Sequence, residues 1–264
     1  MTLPLLPLLP EIRGRLGGSP RLVMLDVDGT LAPIALRPED VVVPRDTQRA
    51  IAALAAKPAT HLALVSGRAA SDARRIVGVG NIWVIGNHGL EVQGPDGELQ
   101  VAEEAQAHRG AIAQASRKIA SSLTHVPGVQ LEDKVWTLSV HYRRADKAVV
   151  PRLRASLDAI AAQQGLRLTE GKQVYELRPP VEHDKGTAVL ALARQLGGLL
   201  PSASVIFIGD DRTDEDAFQT LRRHKPAAVT VRVTDDDVVT AAEFRLRNPE
   251  AVRLFLEHLA SDPD

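Results

Sequence analysis

Four short stretches of this chain hold residues whose types and spacing suit chemistry. In Asp26-Val27-Asp28-Gly29-Thr30, two carboxylates stand two positions apart directly after the apolar run Leu22-Val23-Met24-Leu25. At a strand end, where Gly29 frees the backbone from pleated geometry, both acids can be aimed into one cleft. One carboxylate can then attack an electrophile while the other carries a proton. A carboxylate nucleophile suits phosphorus, because the acyl phosphate it forms hydrolyses readily and one hard displacement becomes two easier ones. Taken alone, the pattern fits an Asx-type turn with solvated acids equally well.

A second acidic group, Gly209-Asp210-Asp211-Arg212-Thr213-Asp214-Glu215-Asp216, follows the apolar run Val205-Ile206-Phe207-Ile208. So many acids beside one strand end repel one another unless a cation binds. Hard oxygen donors suit Mg²⁺, which also neutralises phosphate oxygens during transfer. The same residues can open a helix, with Thr213 as its cap and the acids favoured by the helix dipole. Both readings hold together if Asp210 serves the metal and the others cap the helix and surround the site. Ser66-Gly67-Arg68 offers a hydroxyl and main-chain N–H groups that can cradle an oxyanion, and Lys185 offers a compact positive charge. Singly, a Ser and a Lys at helix starts are more often structural.

Such residues need elements to position them. Leu22–Leu25, His61–Val65 and Val205–Ile208 read as strands buried on both faces, separated by Ala-rich helices over Asp46–Ala56 and Ala69–Val77. That alternation predicts a parallel sheet covered by helices, with ligands bound outside the carboxyl ends of the strands. The middle differs. A helix over about 103–120 leads to a turn at Pro127-Gly128 and an alternating run Val135–Tyr142. A helix over about 147–164 and the runs Leu166–Thr169 and Gln173–Arg178 follow. These describe a small α+β unit with one uncovered face, inserted into the larger domain. The stretch from Ser66 to Lys185 far exceeds the roughly one dozen residues a crossover needs, which favours an insertion.

Composition narrows the classes further. The 264 residues are 44% hydrophobic and 25% charged, which excludes disordered, collagen-like and coiled-coil chains. Lys and Arg number 32 against 33 Asp and Glu, so no global basic field exists to hold nucleic acid, and no nucleic-acid partner is expected. With no cysteine, disulfides, thiolate nucleophiles and Cys-bound metals are excluded; any metal sits on oxygen or imidazole. The opening Leu3–Pro10 is apolar but broken by prolines, lacks a basic leader and is too short to span a bilayer; it reads as a tail packed on the fold. A cytoplasmic monomer without membrane contact is expected.

In order, the chain has DxDGT after a strand, Ser after a strand, Lys before a helix and GDD after a strand, which resembles the haloacid dehalogenase (HAD) superfamily of phosphohydrolases. Asp26–Ile34, Gly86-Asn87-His88-Gly89, Glu132-Asp133-Lys134, His141-Tyr142-Arg143, Glu170-Gly171-Lys172, Glu176-Leu177-Arg178-Pro179 and Gly209–Asp216 resemble the trehalose-6-phosphate phosphatases. The likeness runs from about Leu22 to about Leu259.

The resemblance implies an α/β fold: a HAD-type, Rossmann-like parallel sheet between helices over 1–102 and 181–264, with an α+β cap over 103–180. It implies that Asp26 attacks phosphorus and that Asp28 protonates the leaving alkoxide, then activates water. Mg²⁺ is implied on Asp26, the Asp28 main-chain carbonyl and Asp210, with Asp211 and Asp214 as weaker candidates. Ser66 and Lys185 are implied to hold phosphate oxygens, with Gly29, Thr30 and Gly67 beside them. Arg68 and His88 are expected to reach the sugar or phosphate. Glu132, Lys134, His141, Arg143, Lys172, Glu176 and Arg178 are implied as sugar contacts, Glu132, Lys134, Lys172 and Glu176 foremost. Strand alternation would put His141 with Arg143, and Glu176 with Arg178, on shared faces. The implied substrate is a small sugar phosphate, trehalose 6-phosphate. Sucrose 6-phosphate and mannosyl- or glucosyl-3-phosphoglycerate would use the same phosphoryl chemistry.

Overall fold

Arg21–Leu25 is buried at every position, and its side chains alternate between two cores. Val23 and Leu25 face one helical layer; Leu22 and Met24 face the other. A strand covered on both sides must be apolar throughout, which is why the run carries no alternating polar positions. The computed structural model describes residues 2–123 and 126–261, which fall into two units, one made of 2–100 with 183–261 and the other lying within 101–182.

In the first unit Arg21–Leu25 lies at the middle of a nine-stranded sheet. On one side Thr60–Val65 and Trp83–Gly86 follow in parallel, then Glu91–Gln93 antiparallel and Leu99–Val101 at the edge. On the other side come Ser204–Gly209, Val229–Val233, Phe244–Leu246 and Leu3–Pro4, all parallel. The chain therefore leaves Arg21–Leu25 in one direction and returns on its other flank at Ser204–Gly209. The carboxyl ends of these two strands form the switch point where α/β sheets bind ligands.

Helices Leu9–Leu16, Arg45–Ala55, Ala70–Val77 and Pro249–Ser261 cover one face, through Leu16, Ile51, Leu54, Val77, Phe255 and others. Lys185–Gln195 and Asp214–His224 cover the other, through Val189, Leu192, Phe218 and Leu221. The proline-rich start is more than a packed tail. Leu3–Pro4 pairs with Phe244–Leu246 as an edge strand, Leu5 is fully buried, and a helix follows at once. Pro at the first turn is compatible with a helix, because the missing N–H has no partner there in any case.

The second unit is a four-stranded antiparallel sheet in the order Gln130–Asp133, Leu138–His141, Val174–Arg178, Arg167–Glu170. Helices Arg109–Leu123 and Val150–Gln164 pack on one face, where Ile112, Ile119, Leu157, Leu138, Val140 and Leu177 form a separate core. Alternation turns Glu132, Ser139, His141, Glu176 and Arg178 to the opposite face.

The expected helix over 103–120 is two helices, Glu103–Gln106 and Arg109–Leu123, divided by a turn in which the His108 N–H bonds the Ala105 carbonyl at 3.0 Å. The run read as Val135–Tyr142 is strand only over Leu138–His141. Lys134-Val135-Trp136-Thr137 is instead a tight turn, closed by Lys134 N–H to the Thr137 carbonyl at 3.0 Å, with Val135 at φ 71°. A β-branched residue in that region is strained, so no turn-forming residue announced the hairpin or the strand Gln130–Asp133 before it.

Phe207 is fully buried and meets Phe218 edge to face at 5.5 Å, tying the strand Ser204–Gly209 to the helix behind it. Phe207→Ala is expected to cost about 3–5 kcal/mol, measured as a lowered urea midpoint.

Candidate active site

Asp26 is the first residue past the central strand, held by its N–H to the Ile208 carbonyl at 2.9 Å. Its side chain is buried, and Oδ1 accepts from Lys185 Nζ at 2.8 Å. Lys185 is the first residue of Lys185–Gln195, which Asp184 caps in a reciprocal box with Thr187. That cap fixes the turn from which the lysine projects. The same Nζ donates to Asp214 Oδ1, also at 2.8 Å. Asp26, Asp210 and Asp214 each bring a carboxylate oxygen within 4.8 Å of the others, and all three are buried.

Burial pushes the Asp26 carboxyl up to about 7; Lys185 works against this, while Asp210 and Asp211 add to it. Asp214 is likewise raised by burial, against the pull of Lys185. For Lys185, burial opposes the charge, but Asp214 and Asp26 outweigh it and hold the ammonium well above its ordinary range. Burial would raise Asp211, yet Lys185, its bonds with Thr213 and the nearby His88 carry it well below the usual carboxylate value. A set of buried carboxylates around one lysine is undercompensated, and its donors are the hard oxygens that Mg²⁺ takes. The residues fit a divalent cation.

The acids after Gly209 divide their work. Both oxygens of Asp214 are engaged, Oδ1 by Lys185 and Oδ2 by the N–H groups of Asp210 and Asp211 at 2.9 Å each, so it orders the loop. The cap expected of Thr213 is not made; Asp211 Oδ1 instead accepts from Thr213 N–H, Thr213 Oγ1 and Asp214 N–H. A side chain two residues upstream reaches those donors because the loop turns before the helix starts. Gly29, at φ 87°, lies where a Cβ would stand 2.2 Å from Asp210 Oδ2, so only glycine lets the two acidic loops meet. Thr30 is fully buried in the same loop.

Ser66 is buried, and its Oγ accepts the Arg68 N–H at 3.2 Å. Gly67 has the His88 ring against it, 2.4 Å from where a Cβ would be, so that glycine admits the imidazole. Asn87 and His88 are both left-handed, at φ 47° and 57°, and their N–H groups bond the carbonyls of Arg68 and Ser66. This pins the Gly86–Gly89 loop to the Ser66 turn. Arg68 directs its guanidinium to Asp28, Asp72 and the Pro38 carbonyl. The Asp28 side chain is thus paired with Arg68 and is 36% exposed, unlike Asp26.

The second unit gathers its own polar cluster. Register places Glu132, Ser139, Glu176 and Thr169 in one row across the sheet. Glu176 accepts from Lys134 and Ser139 at 3.3 Å and from Arg178, while Glu132 pairs with His141 at 2.8 Å. Arg143 does not share a strand face with His141. The strand ends at His141, and Arg143 instead bonds the Gln173 side chain and the Lys172 carbonyl at 3.1 Å each. Sequence reasoning missed Asp72, Ser139, Asp184 and Glu91. Asp72 stands four residues from Arg68 and Asp184 three from Thr187, spacings that signal an ion pair and a capping box. Glu91, whose Oε2 accepts the Ala70 N–H at 2.7 Å from a distant strand, gave no local signal.

A family profile described as trehalose-phosphatase matches residues 24–250. The chain belongs to the trehalose-phosphatase family. It is 36% identical over 255 residues to a Mycobacterium tuberculosis protein described as an uncharacterized glycosyl hydrolase, covering 96% of this chain and 19% of that protein. It is also 36% identical over 253 residues to a trehalose-phosphate phosphatase of Mycobacterium avium, covering 93% of this chain and 63% of that one. The chain thus spans about a fifth of the first relative's length and less than two thirds of the second's. Among solved structures, a trehalose-6-phosphate phosphatase related protein superposes with a TM-score of 0.79 at 26% identity, covering 90% of this chain and 96% of that one. The HAD-type α/β fold expected of a trehalose-phosphatase is present. Among the described residues no helix is long and apolar enough to cross a membrane.

Because the folded state raises Asp26 from 3.8 to about 7, it binds this proton more tightly than the unfolded chain does. In chelator, stability should therefore fall as pH rises across that window, by up to about 1.4 kcal/mol per pH unit from this group. Asp214 adds in the same direction, whereas Asp211, lowered, acts only below its ordinary value. Thermal midpoints between pH 5 and pH 7 should show a shallower slope in Asp26→Asn.

Proposed function

We propose that this protein is a Mg²⁺-dependent phosphatase that hydrolyses trehalose 6-phosphate to trehalose and phosphate, completing trehalose synthesis. The observation that carries the reading is the buried Asp26 carboxylate at the switch point, hydrogen-bonded to Lys185 and within reach of Asp210. Family membership and the likeness to named trehalose-phosphate phosphatases support the choice of sugar.

Asp26 attacks phosphorus in line, a new P–O bond forms to its carboxylate, and the bond to the sugar oxygen breaks. Asp28 delivers a proton to the departing alkoxide. Water then attacks the aspartyl phosphate, giving its proton to Asp28, and phosphate leaves as Asp26 is restored. Lys185 holds the Asp26 carboxylate oriented, and the Ser66 hydroxyl donates to a phosphoryl oxygen. Bound to Asp26, Asp210 and the Asp28 main-chain carbonyl, Mg²⁺ would neutralise charge on the phosphoryl group. In the second unit, Glu132, Lys134, Lys172 and Glu176 would serve the sugar hydroxyls, with Glu132 oriented by His141 and Glu176 by Lys134, Ser139 and Arg178.

Phosphate release from trehalose 6-phosphate should be rapid with Mg²⁺, lost in chelator, and lowered at least about a thousandfold in Asp26→Asn. Turnover confined to sucrose 6-phosphate, or spread evenly to glucose 6-phosphate, would overturn the sugar assignment. Glu132→Ala and Lys172→Ala should each lower kcat/KM for trehalose 6-phosphate about 10- to 100-fold, as expected for a lost charged hydrogen bond. The same variants should leave hydrolysis of p-nitrophenyl phosphate nearly unchanged.

A further inference from the structure

Arg68 is tied at every guanidinium nitrogen at the carboxyl edge of the central strands. Its Nε donates to Asp28 Oδ2 at 2.7 Å and its Nη2 to Asp28 Oδ1 at 2.8 Å, a two-point fork. The same Nη2 also bonds the Pro38 carbonyl at 2.9 Å, and Nη1 bonds Asp72 Oδ2 at 2.7 Å. Its main chain is fixed as well, by Ser66 Oγ at the N–H and by Asn87 at the carbonyl. The guanidinium is therefore held independently of Asp28.

The pair is asymmetric. The Arg68 side chain is 8% exposed and that of Asp28 36%, so the fork grips the carboxylate from its buried side. Each carboxylate oxygen offers two acceptor directions, and the fork takes one of each. The remaining directions are available to a proton and a leaving oxygen. A lone salt bridge on a surface would bring little, but a planar fork anchored by its own carboxylate and carbonyl sets orientation.

We propose that Arg68 is the positioning residue for the Asp28 carboxylate, and that Asp72 and the Pro38 carbonyl hold Arg68 in place to do this. The proposal rests on the reading of Asp28 as proton donor to the leaving sugar. Arg68 then acts through Asp28 and touches no reacting atom.

The test is kcat/KM for trehalose 6-phosphate and for p-nitrophenyl phosphate, because this constant ends at departure of the leaving group. An alkoxide needs a proton to leave, whereas nitrophenolate does not. Arg68→Ala should lower the constant for the sugar ester at least about tenfold more than for the aryl ester. Arg68→Lys should recover part of that loss, since an ammonium supplies charge but no fork. Asp72→Asn, which keeps the Asp28 contact, should show a smaller loss with the same selectivity.

In an Asp28→Asn background, Arg68→Ala should cost less than about threefold further, as expected of two residues acting as one unit. Equal losses on both esters, full recovery by lysine, or losses that add across the double variant would each overturn the proposal. Additive losses would place Arg68 on the sugar itself. Should Asp28→Asn show no selectivity between the esters, the proton-donor reading fails and takes the proposal with it. If Arg68→Ala does not fold, Arg68→Lys and Asp72→Asn give the same discrimination.

Discussion

Lys185 stands between Asp26 and Asp214 with Nζ 2.8 Å from each, and all three side chains are nearly sealed from solvent. Removing one partner from such a cluster leaves an uncompensated charge in a poorly polarisable interior, which is far costlier than losing a surface ion pair. The lysine therefore determines where two acidic loops can lie. Asp214 passes the constraint on by accepting the N–H groups of Asp210 and Asp211, so one buried cation organises both strand ends. Even so, the acids outnumber it, and burial keeps Asp26 raised. The electrostatic deficit is the property that makes the site receptive to a further cation.

The supporting structure follows from that demand. A central strand buried on both faces gives Asp26 a rigid base, and a helix cap at Asp184 gives Lys185 another. The turn at Ser66 is braced by the Gly86–Gly89 loop, and the helix beyond it is capped from a separate strand by Glu91. In the inserted unit, two glutamates are each tied to basic partners across a four-stranded sheet. Both units place polar residues where a strand ends or a sheet face is left to them, and reserve their interiors for apolar side chains.

Much of this was readable in the chain. The runs Leu22–Leu25, His61–Val65 and Val205–Ile208 were long, apolar and followed by chemistry-bearing residues, so strand type, direction and the site's end of the sheet followed. The outer strands Glu91–Gln93, Leu99–Val101, Val229–Val233 and Phe244–Leu246 were not read, because they are short or their pattern blends into neighbouring loops. Gln130–Asp133 was hidden by a turn whose left-handed residue is a valine. Among the site residues, local spacing located the acids but not their partners. Nothing in Ser66-Gly67-Arg68 points to Asp28, forty positions away, although Arg68 forks onto it.

The contact between Lys185 and Asp26 joins residues 159 positions apart. During synthesis, the whole inserted unit leaves the ribosome before the lysine does. Domains generally fold as units from the amino terminus onward, so the insertion can complete its own core while Asp26 still lacks its cation. Until then the first acidic loop meets neither Lys185 nor the repelling Asp210 and Asp214. The segment carrying Lys185 emerges before the second acidic loop, so the attractive charge is available before most of the repulsion arrives. Chain order thus gives the nascent protein a schedule in which the counter-charge precedes the crowding it must offset.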